Sequence, residues 1–295
     1  MTTDRPAHPT VYRRVRHRVR SRVSERPAIY LPFARHKYPG PSPEVIGPTT
    51  ELVIDGYTRS ASTFAVYALQ LAQPHPVRLA HHLHAPAQLI AAARRGVPAL
   101  LVIRNPQAVV LSQVAREPDV ALRDALGAYV RFHACLLPFR DRLVVADFAE
   151  VTGDFGTVIG RLNDRFGMSL RRFEHTEANV AECLRLVALR DSLSPALLGF
   201  ESGLLSRAAL DRELASRPPD PPSETGHAWM PSPRRDAEIE RLRQQWQASF
   251  TGLWRRADEL YASFVRSATA QETSQRRQEP TAMNGRAEEE QWSTS

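Results

Sequence analysis

Residues 52–69 read LVIDGYTRSASTFAVYAL. A short apolar run is followed by a polar turn over residues 56–63 and then by an apolar helical pattern, which together indicate a strand, a tight turn and a helix. Such a turn directs backbone N–H groups and hydroxyl groups at one point near the positive end of a helix, and this arrangement binds anions. The segment therefore predicts a site for a phosphorylated ligand.

The turn is nearly a phosphate-binding loop of the form G-x-x-x-x-G-K-[ST], with Gly56, Ala61, Ser62 and Thr63 in register. Ser62 stands where the loop lysine would contact the β- and γ-phosphates of a nucleoside triphosphate. The cation of this loop is Arg59, three residues earlier. We therefore expect a phosphorylated donor of a different shape.

Strand and helix patterns continue to alternate after this loop. Predicted strands cover residues 52–57, 77–83, 98–104 and 143–148, and predicted helices cover residues 62–73, 86–95, 106–116, 120–140 and 155–166. This alternation predicts an α/β fold with three layers, α/β/α, in which helices cover both faces of a central parallel sheet. In such sheets ligands bind beyond the carboxyl ends of the strands.

The composition divides the chain into a basic, Pro- and Arg-rich N-terminal arm (residues 1–50), a domain (51–266) and a polar tail (267–295) that is predicted to be disordered. Residues 1–40 carry ten Lys/Arg and two Asp/Glu, a net charge of +8, whereas the whole chain carries +7. The other 255 residues therefore sum to −1. The valines of the arm fit the period of a strand and that of a helix, so periodicity does not choose between them. Within the domain, a Pro-rich connector covers residues 216–233 and a helix is predicted over residues 234–266.

The overall composition is that of a globular protein, with 42% hydrophobic and 24% charged residues among 295. No stretch approaches the roughly 20 apolar residues that span a bilayer. The two cysteines, Cys135 and Cys183, lack metal-ligand spacing and are expected to be reduced and buried, which predicts a cytoplasmic protein.

Two further polar groups follow the ends of predicted strands. The third strand ends at Arg104, and Ser112 follows about two turns into the next helix. An arginine and a serine at this edge could bind one phosphate, the arginine as a fork and the serine as a single donor. The second strand ends near His81, His82 and His84, and a histidine beside an anion site is placed for proton transfer at neutral pH.

In this combination the chain resembles the sulfotransferase family, which uses 3′-phosphoadenosine-5′-phosphosulfate (PAPS). Residues 58–64 (TRSASTF) resemble the 5′-phosphosulfate loop, usually P-K-S-G-T-T-W. Residues 103–106 (IRNP) with Ser112 resemble the 3′-phosphate motif, and residues 84–86 (HAP) are similar to the H-x-P segment that carries the catalytic base. The resemblance covers roughly residues 51–170.

The chain departs from the family pattern at several positions. Arg59 replaces the loop lysine, Ala61 the loop glycine and Phe64 the following tryptophan. No clear counterpart exists for the C-terminal R-K-G segment that covers the 3′-phosphate in cytosolic members. Arg234 or Arg235 is a candidate for this missing charge.

The resemblance implies a sulfotransferase architecture related to phosphate-loop NTPases, and transfer of a sulfuryl group from PAPS to a hydroxyl acceptor without a metal. The acceptor would be a small molecule or a saccharide. The implied catalytic residues are His84, as the base, and Arg59, which would neutralise charge on the bridging oxygen. The implied cofactor-binding residues are Arg59, Ser60, Ala61, Ser62, Thr63, Phe64, Arg104 and Ser112.

Several alternatives stay open at this level. The chain could be a phosphate-loop small-molecule kinase or a catalytically inactive nucleotide-binding relative. Ser60 or Ser62 could simply cap a helix. His81 and His82 compete with His84 for the role of base, and Pro86 favours His84. The basic arm could contact an anionic partner such as nucleic acid, a membrane surface or an acidic saccharide.

Overall fold

The computed structural model describes residues 11–37, 45–190, 194–216, 233–246 and 250–278. Four parallel strands form its central sheet in the order β2-β1-β3-β4. The strands are β1 (Leu52–Gly56), β2 (Leu79–His81), β3 (Ala99–Ile103) and β4 (Val144–Asp147).

The helices are α1 (Val11–Val23), α2 (Pro27–Lys37), α3 (Ser62–Ala72), α4 (Pro86–Arg95), α5 (Pro106–Arg116), α6 (Leu122–Ala134), α7 (Phe148–Gly153), α8 (Phe155–Phe166), α9 (Glu177–Leu189), α10 (Pro195–Glu201), α11 (Arg207–Ser216), α12 (Pro233–Trp246) and α13 (Thr251–Gln278). A 3₁₀ helix, Leu137–Arg142, lies between α6 and β4.

Both faces of the sheet are covered by apolar helices, as the near-continuous apolar strands require. Along β3, Leu100 and Val102 pack on one face with α3, α8, α9 and α10, whereas Leu101 and Ile103 pack on the other with α4, α5, α6 and α13. The expected α/β fold with a central parallel sheet is therefore confirmed. Because β1 and β3 are neighbours, the segments that follow Gly56 and Ile103 meet at the same edge.

Element bounds differ from the sequence expectation where a local residue interrupts the pattern. The strand expected over residues 77–83 is reduced to β2, which ends at His81 because His82 has a φ of 56° and leaves the extended conformation. The helix expected over residues 120–140 ends at Ala134, ahead of Pro138, and continues as the 3₁₀ helix.

The two ends of the chain also depart from the expected division. The described part of the N-terminal arm forms two helices, and α1 contacts α6 while α2 contacts α4. The helix expected over residues 234–266 is two helices, and α13 continues to Gln278 into the segment expected to be a disordered tail. Most of the Pro-rich connector and residues 279–295 lie outside the described residues.

The cysteine expectation holds for Cys183, which is fully buried, whereas Cys135 is half-buried, and both are free thiols. Of the helices that the structure describes, none is both long enough and apolar enough to span a bilayer.

The close pairing of β1 with β3 makes Gly56 the most restrictive position of the sheet edge. A Cβ at Gly56 would lie 2.2 Å from the carbonyl oxygen of Val102. Gly56→Ala should therefore lower the free energy of unfolding by about 1–3 kcal/mol or more. A matched control is Gly127→Ala in α6, where a Cβ would have no neighbour within 4 Å. This substitution should raise the free energy of unfolding by about 0.5–1 kcal/mol.

Urea unfolding of both variants measures these changes. Equal, small effects of the two substitutions would contradict the tight β1–β3 contact at Gly56.

Candidate active site

The turn between β1 and α3 contains two residues of unusual backbone conformation. Arg59 and Ala61 have φ values of 70° and 73°, in the left-handed region that glycine adopts most easily. Ala61 directly precedes α3, and its side chain cannot cap the helix. Ser60 donates its hydroxyl to the carbonyl of Tyr57 at 2.6 Å. The simple capping interpretation of Ser60 or Ser62 is therefore wrong, and the first N–H groups of α3 are available to a ligand.

Arginines from three distant segments meet beside this loop. The Nε of Arg59 donates to the hydroxyl of Ser112 at 3.2 Å, and an Nη of Arg235 donates to the same hydroxyl at 3.1 Å. An Nη of Arg104 donates to the backbone carbonyl of Arg59 at 3.0 Å. The guanidinium of Arg104 also lies over the ring of Phe148, 3.9 Å from its centroid.

Burial and the crowding of these cations lower the pKa values of Arg59 and Arg104. Burial, followed by the charges of Arg235, Arg116 and Arg104, lowers the pKa of Arg59 to about 9. Burial, followed by the charge of Arg235, lowers the pKa of Arg104 to about 10. An anion placed among these groups would relieve the repulsion, so the cluster favours a negatively charged ligand.

A cleft of about 280 Å³, which we call the loop cleft, lies against these groups. Its lining contains no carboxylate among the described residues: it consists of Arg59, Ala61, Ser62, Thr63, Phe64, His84, Arg104, Phe148, Thr152, Leu184, Val187 and Arg235. Six of the eight predicted cofactor-binding residues and the predicted base thus face one space.

The other two predicted cofactor-binding residues lie behind the lining. Ser60 is fully buried, and only its backbone can serve a ligand at the loop. Ser112 is 1% exposed, and its hydroxyl holds Arg59 and Arg235 in place. Its assignment as a direct contact of the 3′-phosphate stays a prediction, and the structure favours an orienting role.

His84 is held at the edge of the loop cleft by the backbone of β1. Its Nδ1 lies 3.0 Å from the carbonyl of Gly56 and 3.6 Å from a carboxylate oxygen of Asp55. This contact assigns the proton to Nδ1 and leaves Nε2 with a lone pair. Burial lowers the pKa of His84 to about 4, so the ring is neutral at pH 7 and can accept a proton.

Asp55 positions this histidine. The sequence pattern did not predict this role, because Asp55 reads as part of an apolar strand. The side chain is fully buried, and one oxygen accepts hydrogen bonds from the backbone N–H groups of Gly56 and His84 at 2.9 and 3.1 Å. Burial raises the pKa of Asp55 to about 7. An acidic residue directly before the loop glycine was the available signal.

The other two histidines form a separate buried cluster with Glu201. The Nδ1 atoms of His81 and His82 are 2.5 Å apart, and the Nδ1 of His82 lies 3.9 Å from the Glu201 carboxylate. Three such ligand atoms within 4.8 Å have the composition of a metal site. The short N–N contact and the Nε of Arg190, 2.8 Å from Glu201, instead favour a hydrogen-bonded cluster. The expectation that no metal is required stays a prediction.

This cluster reaches the loop through one contact. The Nε2 of His82 lies 2.9 Å from the hydroxyl of Thr63, and the Nε2 of His81 lies 3.2 Å from the hydroxyl of Ser202. Burial lowers the pKa of both histidines, that of His81 to about 3. His82 is thus placed to orient Thr63, and neither ring belongs to the lining of the loop cleft.

Backbone strain is concentrated in this region. Five residues other than glycine have positive φ among those described, and four of them are Arg59, Ala61, His82 and His84. Such conformations cost about 1–3 kcal/mol each and persist where the surrounding structure holds them, which is common at functional sites.

Comparisons with known proteins add one similarity. No protein-family model matches the chain, and no curated protein matches its sequence. Among solved structures, the chain is similar to the crystal structure of mouse sulfotransferase SULT7A1 complexed with PAP, with a TM-score of 0.33 and 12% sequence identity. The match covers 75% of this chain and 92% of that chain. At this degree of likeness, activity is inferred from the residues of the site alone.

Proposed function

We propose that the protein transfers a sulfuryl group from PAPS to a hydroxyl acceptor. The observation that carries this proposal is the convergence of Arg59, Arg104 and Arg235 on a cleft whose described lining has no carboxylate. A donor with two separate phosphate groups supplies the negative charge that this cluster lacks. The positive charges and hydrogen-bond donors of the loop cleft therefore fit PAPS, which when bound supplies the sulfuryl group.

The loop and the arginines would bind different parts of the donor. The backbone N–H groups of residues 60–64 and the hydroxyls of Ser62 and Thr63 would hold the 5′-phosphosulfate. Arg59 would neutralise charge that develops on the leaving oxygen. Arg104 would hold the 3′-phosphate, and Arg235 supplies positive charge beside it, in place of the missing closing segment.

His84 would accept the proton of the acceptor hydroxyl at Nε2. The Gly56 carbonyl and the Asp55 carboxylate lie on the Nδ1 side of the ring, so they fix its orientation and stabilise the positive charge that forms. This arrangement lets His84 act as a base despite its low pKa, because the Asp55 carboxylate lies beside the ring when the ring becomes positively charged.

The kinase alternative is less well supported by the same residues. A Mg²⁺–triphosphate site uses a loop lysine and a carboxylate or hydroxyl ligand for the metal. Here Ser62 replaces the lysine, and the described lining of the loop cleft offers hydroxyls but no carboxylate.

Donor binding separates these two functions. Adenosine 3′,5′-bisphosphate at a hundredfold excess over its Kd should raise the Tm by about 5–10 °C, and ATP with Mg²⁺ should raise it less. Arg59→Gln and Arg104→Gln should each reduce the shift, whereas Arg95→Gln, at an exposed position of α4, should leave it unchanged. Differential scanning fluorimetry measures these shifts. Stabilisation by ATP with Mg²⁺ alone would contradict the proposal.

Substitution of His84 separates a catalyst from a protein that only binds the donor. His84→Gln should lower kcat for sulfuryl transfer by about 10²–10⁴-fold and leave the Kd for adenosine 3′,5′-bisphosphate nearly unchanged. His75→Gln, at an exposed position, is the matched control. A rate unaffected by loss of His84 would assign the base to another group.

The pH profile follows from the pKa values of His84 and Asp55. As the pH falls below about 7, the Asp55 carboxylate is protonated and no longer stabilises the His84 cation, so kcat/KM should fall in part; it should fall further as the pH approaches the His84 pKa of about 4. Asp55→Asn should remove the step near pH 7, and in that variant an acid limb centred near pH 6.5, the ordinary value for histidine, would contradict the buried position of His84.

A further inference from the structure

A second cavity of about 280 Å³, which we call the α1 cavity, shares His84 with the loop cleft. Its other walls come from α1, from the first residues of the loop, and from α5 and α6. Among the described lining residues, His84 is common to both spaces. A molecule in the α1 cavity therefore reaches the proposed base without entering the space assigned to the donor.

The wall formed by α1 is firmly docked. The Nε atoms of Arg14 and Arg18 lie 3.2 and 2.8 Å from the carboxylate of Asp124, whose side chain is 5% exposed. Beyond α1, the carbonyl of Ser24 accepts a hydrogen bond from the N–H of Ala87 at 2.9 Å. Separating a buried carboxylate from its cations is costly. This basic segment is thus a wall of the site.

The charges in this cavity favour an anionic ligand. Arg20 and Arg116 line it together with Glu117. Burial lowers the pKa of His17, so this fourth titratable group adds no charge at pH 7. With His84 also neutral, the lining carries a net charge of one positive.

The same cavity has an aromatic side. The rings of Tyr57 and Phe132 pack edge to face with centroids 5.7 Å apart, and both line the cavity. The Tyr57 hydroxyl is engaged by the side chain of Gln113 at 2.6 Å and the carbonyl of Ala125 at 2.9 Å. The surface that Tyr57 offers is therefore its ring, which suits a planar or ring-shaped ligand.

On the basis of the proposed function, we propose that the α1 cavity binds the acceptor, and that the acceptor is a small ring compound with a hydroxyl and a negatively charged group. The hydroxyl lies at Nε2 of His84, and the charged group lies near Arg20 and Arg116. The acceptor oxygen forms a bond to sulfur while the bond from sulfur to the bridging oxygen of PAPS breaks. Adenosine 3′,5′-bisphosphate leaves with the electron pair, and His84 takes the hydroxyl proton.

Two phenols of similar size test this assignment. In isothermal titration calorimetry with saturating adenosine 3′,5′-bisphosphate, 4-hydroxybenzoate should bind about tenfold more tightly than 4-cresol, or better. Arg20→Gln and Arg116→Gln should each reduce this preference. Ser21→Phe, which fills the cavity from α1, should weaken both phenols and leave the nucleotide Kd unchanged. Arg95→Gln is the control for loss of an arginine elsewhere.

The outcomes distinguish the two proposals. Equal binding of the phenols, binding of neither, or a preference unchanged in all three cavity variants overturns the acceptor assignment while nucleotide binding stands. Failure of the parent protein to bind adenosine 3′,5′-bisphosphate overturns the proposed function, and the acceptor assignment falls with it.

Discussion

One buried hydroxyl, that of Ser112, holds together two guanidinium groups that repel each other. Arg59 and Arg235 both donate to it, and Arg104 lies against the backbone of Arg59. Since burial and the charge of Arg235 lower the pKa of both Arg59 and Arg104, the free protein carries an electrostatic cost at this edge. A doubly phosphorylated ligand offsets that cost, so the same contacts that strain the free protein favour binding of the donor.

The sheet brings these groups together. Gly56 pairs with Val102 in adjacent parallel strands, so the loop after β1 and the Arg104 segment after β3 meet at one edge. This juxtaposition could be predicted from the sequence, because strand patterns, the loop and the arginine follow one another in order. The start of α3 at Ser62 was predictable for the same reason.

Other features depend on contacts between distant segments and lack a local signal. Arg235 reaches Ser112 across 123 positions of the chain, and the sequence offered it only as one of two candidates. Asp55 belongs to an apolar strand by pattern, and only the fold turns its carboxylate toward His84. The valines of α1 fitted two periods, and the buried Asp124 that docks the helix lies more than 100 residues away.

The most direct test of the central claim is a cycle of ligand and protein changes measured by calorimetry. Adenosine 3′,5′-bisphosphate and adenosine 5′-phosphate are titrated into the parent protein and into Arg104→Gln. If Arg104 holds the 3′-phosphate, the parent should prefer the bisphosphate by about tenfold or more, and the variant should lose most of that preference. An equal preference in both proteins would show that Arg104 does not face the 3′-phosphate and would contradict the account.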